Sequence, residues 1–422
     1  MKVKTILRTY EIPEATGSDY PNSAYHDPEQ FRKDMVRMAG KAAGICYMPD
    51  DYLSNGIQNC ELAEKRARGT AKSGHYSTYE HGHVTFLIET SKMMAMVLNN
   101  MRLYCTSEKS ARYTMMKPET ELEAEIYNKW IGIYEKLITA YYSESKSAKE
   151  INKLAMENAR YMISVYTPTV LEYTVPYNRA VLMCGWLKNM AKEALECPNL
   201  KWFYERFSKE CVELSDLIMK EIGISDEDVL LTDHKDVQPE FMVFGSSSTE
   251  ASDEWKSYDI FGDVYSASYR ASFAMLAQAQ RHRTLQYSCI LPYIDEDAVT
   301  VYIPSIIMDT PYEKEWKKDA KTLIKNGVMV QGVLLSIKEQ GTFKDFVLKC
   351  KERMCSRAQL EIMVNTVNTL SRFCSESKNL SKANKKLLET ITDGDFLPRC
   401  GFKGYTCKEP CSLGLGGLKR II

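Results

Sequence analysis

The chain has 422 residues, enough for two ordinary domains rather than one. Apolar residues make up 44% and charged residues 26%, a balance that excludes wholesale disorder and permits sizeable buried cores. A net charge of −1 excludes a global field recruiting nucleic acid or a membrane surface, so an anionic ligand has to meet a local cluster of Arg or Lys.

Met1 to Tyr10 reads as a charged strand rather than the apolar core of a signal peptide, and no apolar run is long enough to span a membrane. A cytoplasmic protein is expected. The 13 cysteines are scattered singly, many inside apolar runs such as Met183-Cys184-Gly185-Trp186, and read as small buried hydrophobes of a reducing compartment. Gly74 to His83 crowds His75, His81 and His83 around Ser77 and Glu80. That spacing fits no helical metal-binding pair, and a hydrogen-bonded loop is preferred over a metal site; no metal is expected. A strand follows at Thr85 to Ile88.

Ser91 to Arg102 (SKMMAMVLNNMR) predicts a helix of about three turns. Ser272 to Arg283 (SFAMLAQAQRHR) has the same length and the same ends, which marks an internal repeat. After the first copy, Glu108-Lys109-Ser110-Ala111-Arg112-Tyr113 forms a polar, hairpin-like loop. A hydroxyl, a guanidinium and free backbone N–H groups there make a phosphate cradle, although many such loops are plain solvated surface. Glu121 to Tyr142 carries Ile126, Trp130, Ile133, Leu137 and Tyr141 at helical spacing, and Arg160 closes a second helical stretch.

The small, polar stretch Gly245 to Asp253 predicts a linker between residues 1–244 and 254–392. Beyond the repeat helix come strand-like runs at Val299 to Ile303 and Val328 to Ile337, then a helix over Phe343 to Leu370 that holds Arg353. Arg357 and Glu361 are spaced as an i,i+4 pair. Residues 393–422, richer in Gly, Pro and Cys, form a C-terminal extension. Its Cys400, Cys407 and Cys411 leave a zinc loop as an alternative to simple packing. The sum is a mixed α+β protein.

The sharpest local signal is Gln278-x-x-Arg281-His282-Arg283. Gln278 and Arg281 share one helix face while His282 and Arg283 look elsewhere, so one helix end can address two ligand groups. Arginine suits phosphate because its planar fork gives paired charge-assisted hydrogen bonds. Cations at a helix C-terminus also complement the macrodipole, and spacing alone leaves both readings open.

Together these segments resemble the flavin-dependent thymidylate synthase (ThyX) family. The family pattern runs His-x-Ser/Thr-x-x-Glu-His, then Ser-Arg-x-x-x-x-Gln-x-x-Arg-His-Arg, then Glu-x-Ser-x-Arg-Tyr, then Ala-Arg, and finally Arg-x-x-x-x-Ala-Gln-Trp-Glu-Ile. The N-terminal half matches with His75, Ser77, Glu80 and His81, with Glu108, Ser110, Arg112 and Tyr113, and with Ala159-Arg160. Of its Arg-His-Arg only Arg102 remains. Asn178 and Arg179 resemble a flavin-contacting Asn-x-Arg in loose register. The C-terminal half keeps what the first half lost: Gln278, Arg281, His282 and Arg283, then Arg353, Ala358, Gln359, Glu361 and Ile362, with Leu360 in place of Trp. The resemblance spans roughly residues 40 to 370.

The resemblance implies two ThyX-like domains, each a helical bundle with a small antiparallel sheet, forming a pseudo-dimer within one chain. The halves have decayed in complementary ways, so one whole site is expected between them. By resemblance, FAD would lie against Arg281, His282 and Arg283, with Ser77, Glu108, Asn178 and Arg179 nearby. The dUMP nucleotide would be held by Gln278, Arg281, Glu108, Ser110, Arg112 and Arg160. Arg353 would be catalytic, stabilising the uracil ring ionised at N3. NADPH and methylenetetrahydrofolate would be co-substrates and dTMP the product. The assembly would be a homodimer, a pseudo-tetramer. Hydroxymethylation or another one-carbon change on a different pyrimidine nucleotide, and non-catalytic flavin or nucleotide binding, are the alternatives.

Overall fold

The computed structural model describes residues 1–9, 27–45, 60–73, 75–101, 103–110, 114–142, 146–226, 259–292, 295–355, 357–392, 399–402, 404 and 421–422. The expected linker, Arg112, Cys407 and Cys411 lie outside the described residues.

The first half begins with strand β1 (Lys2–Arg8) and helices α1 (Pro28–Ile45) and α2 (Cys60–Lys72). Strand β2 (His83–Ser91) runs into the short helix α3 (Lys92–Leu98) and the edge strand β3 (Cys105–Glu108). Helices α4 (Glu121–Tyr142) and α5 (Ala148–Ala159) lead to strand β4 (Pro168–Pro176), and α6 (Tyr177–Glu196) and α7 (Lys201–Ile222) close the half. The second half has β5 (Ile260–Phe261), β6 (Val264–Ser272), α8 (Phe273–Ala279), β7 (Gln286–Ile290), α9 (Pro311–Lys325) and β8 (Leu334–Thr342). Helices α10 (Phe343–Arg353), α11 (Leu360–Glu376) and α12 (Lys382–Thr392) follow.

The strands form two antiparallel four-stranded sheets, ordered β1-β2-β4-β3 and β5-β6-β8-β7, the same order in both. Their registers correspond as well. His83 pairs with Pro176 and Ser91 with Pro168 in the first sheet, as Val264 pairs with Thr342 and Ser272 with Leu334 in the second. Cys105 opposes Thr174 as Gln286 opposes Gln340. Ser91 and Ser272 each cap the helix that follows, accepting from Met94 N and Met275 N. Each hydroxyl also donates to a glutamate of a later helix: Ser91 to Glu210 on α7, and Ser272 to Glu361 on α11 at 2.6 Å.

The halves meet along a reciprocal backbone bridge. Val165 N donates to Met329 O at 2.8 Å and Gln331 N donates to Ile163 O at 2.7 Å. Gly332 N donates to Tyr161 O at 2.8 Å, and a Cβ on Gly332 would stand 2.9 Å from that same oxygen, so glycine permits this approach. Farther out, Trp130 of α4 and Trp316 of α9 meet edge to face with centroids 4.7 Å apart, and Trp130 Nε1 donates to Asp319 at 2.8 Å. One continuous apolar core runs through both halves.

Several sequence expectations shift. The two repeat helices are seven residues each, not three turns, because they end at Asn99 and Gln280. The helix expected over Phe343 to Leu370 breaks at Met354, whose backbone leaves the helical region, and resumes at Leu360. Arg357 therefore lies off the helix and forms no i,i+4 pair with Glu361. The loop expected from Glu108 starts where the edge strand β3, paired with β4, ends at Glu108; Lys109 and Ser110 lie outside the strand, and residues 111–113 are outside the described residues. Val299 to Ile303 contributes only an isolated bridge, Val301 to Val333, and Val328 to Ile337 is strand only from Leu334.

Candidate functional site

β3 carries Glu108 to the edge of the first sheet, opposite Leu171. Its side chain is 3% exposed. Oε1 accepts from Lys92 Nζ and from Thr169 Oγ1 at 3.4 Å, and Oε2 accepts from Asn99 Nδ2 at 3.2 Å. The last partner comes from the other half: Arg281 Nη2 lies 3.4 Å from Oε2. Burial pulls the Lys92 ammonium down while Glu108 beside it pushes back up.

The turn after α8 is fastened to the first half by residues on both sides of Arg281. Gln280 donates to Met96 O at 2.9 Å, and Arg283 donates to Thr106 O at 2.9 Å while its guanidinium covers the Tyr104 ring at 5.4 Å. Burial raises the Tyr104 phenol to about 12 against the lowering effect of Arg283 and Arg281, so the ring stays neutral. His282 points into the second half, where its Nε2 accepts from Arg353 Nε at 2.7 Å. Arg353 Nη2 also donates to Gln278 O at 3.2 Å.

Gln359 sits between the halves. Its carbonyl oxygen accepts from Arg160 Nη2 of the first half and from Gln278 Nε2 of the second, and its amide nitrogen donates to Tyr161 OH. Tyr161 OH in turn donates to Glu361 at 2.9 Å. Burial pushes the Glu361 carboxyl up, opposed by hydrogen bonds from Ser272 and Tyr161. Around this centre two buried polar atoms, Arg160 Nε and Gln278 Oε1, have no hydrogen-bond partner among the described residues.

A second group lies toward the far end of β2 and β4. Ser77 is exposed on a short 3-10 turn, and from the same turn Glu80 accepts from Arg179 Nη2 at 2.7 Å. Asn178 is buried at the start of α6, and Arg179 Nε has no partner among the described residues. Five residues of β4 separate the level of Glu108 from this group, roughly 17 Å of strand. A ligand touching both groups has to be elongated.

The family model Thy1, thymidylate synthase complementing protein, matches residues 30–183. That segment is similar to this family. No curated protein matches the chain in sequence. Among solved structures, the UMP/dUMP methylase PolB from Streptomyces cacaoi, bound with 5-Br dUMP, is 15% identical with a TM-score of 0.33, covering 56% of this chain and 97% of that one. ThyX from Helicobacter pylori, complexed with FAD and dUMP, is 17% identical with a TM-score of 0.29, covering 55% and 98%.

The Thy1 match takes in Ser77, Glu108, Ser110, Arg112, Arg160, Asn178 and Arg179 and stops before the second half. The structure nevertheless brings Glu108 to Arg281 and Arg160 to the Gln278–Gln359 pair. Ser110 follows Glu108 off the sheet edge, its carbonyl capped by Thr114 at 2.7 Å. Ser77, Asn178 and Arg179 stand apart from that centre. Lys92, Asn99, Gln280 and Tyr161 join the site without having been singled out in the sequence. Asn99 and Gln280 hold the same position at the ends of the two repeat helices, a signal the repeat itself contained.

Proposed function

We propose that this protein methylates dUMP to dTMP, with FAD as cofactor and methylenetetrahydrofolate and NADPH as co-substrates. The observation that carries the proposal is the meeting of the two halves: Arg281 beside Glu108, and Arg160 with Gln278 on one oxygen of Gln359. Each half supplies what the other lacks. The shared strand order and register of the two sheets support descent from a duplicated domain, with domains at 1–244 and 254–392. Two such chains would form a homodimer in the cytoplasm.

The residues present suit these ligands. Arg160 and Gln278 both reach Gln359 Oε1, and Arg160 Nε, a buried donor, and Gln278 Oε1, a buried acceptor, suit the alternating C=O and N–H edge of a uracil ring. Arg281, with Ser110 and Arg112, would hold the phosphate, since a guanidinium fork binds it in paired hydrogen bonds. FAD would contact Arg281, Arg283, Ser77, Asn178 and Arg179, with His282 fixing the turn. Arg179 Nε and Thr106 Oγ1, which have no partner among the described residues, are polar atoms that such an elongated ligand can satisfy.

The chemistry of this chain is then positioning and charge. A fixed cation at Arg353 stabilises the ring anion formed at N3, each pKa unit of that shift being worth about 1.4 kcal/mol. The electron-rich C5 takes the one-carbon unit and releases its proton to solvent. Once reduced by NADPH, bound flavin would supply the hydride that reduces the transferred carbon, with tetrahydrofolate as the leaving group. Holding the reactants together provides much of the acceleration.

Release of tritium from C5-labelled dUMP, dependent on flavin and methylenetetrahydrofolate, is the expected result with purified protein. A flavin-loaded protein that releases none while binding dUMP would overturn methylation at C5.

A further inference from the structure

Lys92 stands where the family pattern Ser-Arg-x-x-x-x-Gln-x-x-Arg-His-Arg has its first arginine, and it is buried, 8% exposed, at the first residue of α3 with its Nζ on Glu108. Glu108 is also the carboxylate that Arg281 reaches from the other half. The corresponding pair in the second sheet differs. Register places Phe273 where Lys92 stands and Cys289 where Glu108 stands, and both are buried apolar side chains. A lysine and a glutamate therefore occur together on the side that has Arg281, and neither occurs on the side where Asn100 takes its place.

Charge explains why they should occur together. A carboxylate 3.4 Å from Arg281 with no other cation would cancel most of the guanidinium's attraction for an incoming anion. Glu108 is useful for orienting Arg281, since it anchors Nη2 and is itself fixed by Asn99 and Thr169. Lys92 removes the electrostatic penalty. Whether the shared proton sits on Nζ or on the carboxyl, the Lys92–Glu108 pair is neutral, and Arg281 keeps its charge for the ligand. Arg281 is the more open member, its side chain 31% exposed against 10% for Lys92.

We propose that Lys92 is a positioning residue of the nucleotide site: it neutralises Glu108 so that Glu108 can orient Arg281 without weakening its hold on a nucleotide 5′-phosphate. This rests on the proposed function, since it takes the ligand of Arg281 to be that phosphate.

The test is the ratio of affinities for dUMP and deoxyuridine, measured on the flavin-loaded full chain. Both ligands carry the base and sugar, so the ratio isolates the phosphate. Lys92→Met should reduce it about tenfold or more, as expected when one member of a buried charge pair is removed. Lys92→Arg should restore it. The double variant Lys92→Met/Glu108→Gln, neutral like the native pair, should also return the ratio toward the wild-type value. A purely structural role for Lys92 gives no such return. Glu108→Gln alone leaves Lys92 uncompensated and should raise the ratio severalfold, which decides the matter if Lys92→Met fails to fold. An unchanged ratio in Lys92→Met or in Glu108→Gln overturns the assignment of Lys92. A wild-type protein that binds dUMP no better than deoxyuridine overturns the phosphate reading of Arg281 itself, and this inference with it.

Discussion

Arg353 Nε lies 2.7 Å from His282 Nε2, so the imidazole is a hydrogen-bond acceptor. An accepting Nε2 puts the ring proton on Nδ1 and makes the ring neutral. Burial, followed by the charges of Arg353 and Lys349, pulls His282 down to about 2. The histidine between Arg281 and Arg283 is thereby a fixed anchor for Arg353, and it ties the turn of residues 281–283 to helix α10.

Stability should depend on pH through this residue. The unfolded chain binds the proton near the ordinary value of 6.5 and the folded chain does not, so the unfolded state is favoured as pH drops below that value. The stability associated with a neutral His282 is complete above about pH 6.5 and declines below it by at most about 1.4 kcal/mol per pH unit. His282→Gln keeps an acceptor but removes the titration. Denaturant unfolding between pH 7 and 5 should show a shallower slope for that variant, and equal slopes would contradict the burial of a neutral ring.

Arg353→Ala should retain flavin and lose at least about a hundredfold in kcat, the scale expected for a charge-stabilising group in an active site. Arg353→Lys should rescue little, because a lysine cannot reproduce the pair of bonds from Nε to His282 and from Nη2 to the Gln278 carbonyl. Single-turnover tritium release separates this from a binding defect. Normal turnover in Arg353→Ala would remove it from the chemistry.

Arg281→Ala should lose flavin on purification and bind dUMP weakly. The partner it leaves behind, Glu108, keeps Lys92, Asn99 and Thr169, so the fold should survive. Flavin content per chain and the circular dichroism spectrum check both halves of that statement. A full complement of flavin would show that Arg281 is not a cofactor contact.

Gly332→Ala should destabilise the junction of the halves by about 1–3 kcal/mol, because the new methyl meets the Tyr161 carbonyl that Gly332 N must also reach. Trp316→Ala should cost about 3–5 kcal/mol at the other contact, where Trp316 packs on Trp130 and Tyr134. Thermal unfolding measures both. A Gly332→Ala protein as stable as wild type would show that the halves can separate there without penalty.

Much of this arrangement was written in local patterns. Glu121–Tyr142 is helical over the span its apolar spacing predicts, because Trp130 and Tyr134 face a core supplied by α9. The repeat helices were found as a pair, but their lengths were not, since the stop at Asn99 and Gln280 depends on contacts with Glu108 and with Met96 in the opposite half. The Arg-His-Arg signal located the turn, while which nitrogen faces which partner depends on α10 coming back some 70 residues later. Glu361 looked like a helical partner for Arg357. The chain instead leaves the helix at Met354, and the carboxylate turns to the Ser272 cap and Tyr161. Lys92 falls on an arginine position of the family pattern, but its pairing with Glu108 is not legible there. A lone lysine at the start of an Ala- and Met-rich helix reads as solvated, and its burial arises from β3 and β4, which the helix itself does not specify.

The most direct measurement is the visible absorbance spectrum of the purified protein during a titration with dUMP. A single site assembled from both halves predicts bound flavin whose bands shift on adding nucleotide, with saturation at one dUMP per chain. A protein that takes up no flavin, or a shift that saturates at two nucleotides per chain, would contradict it.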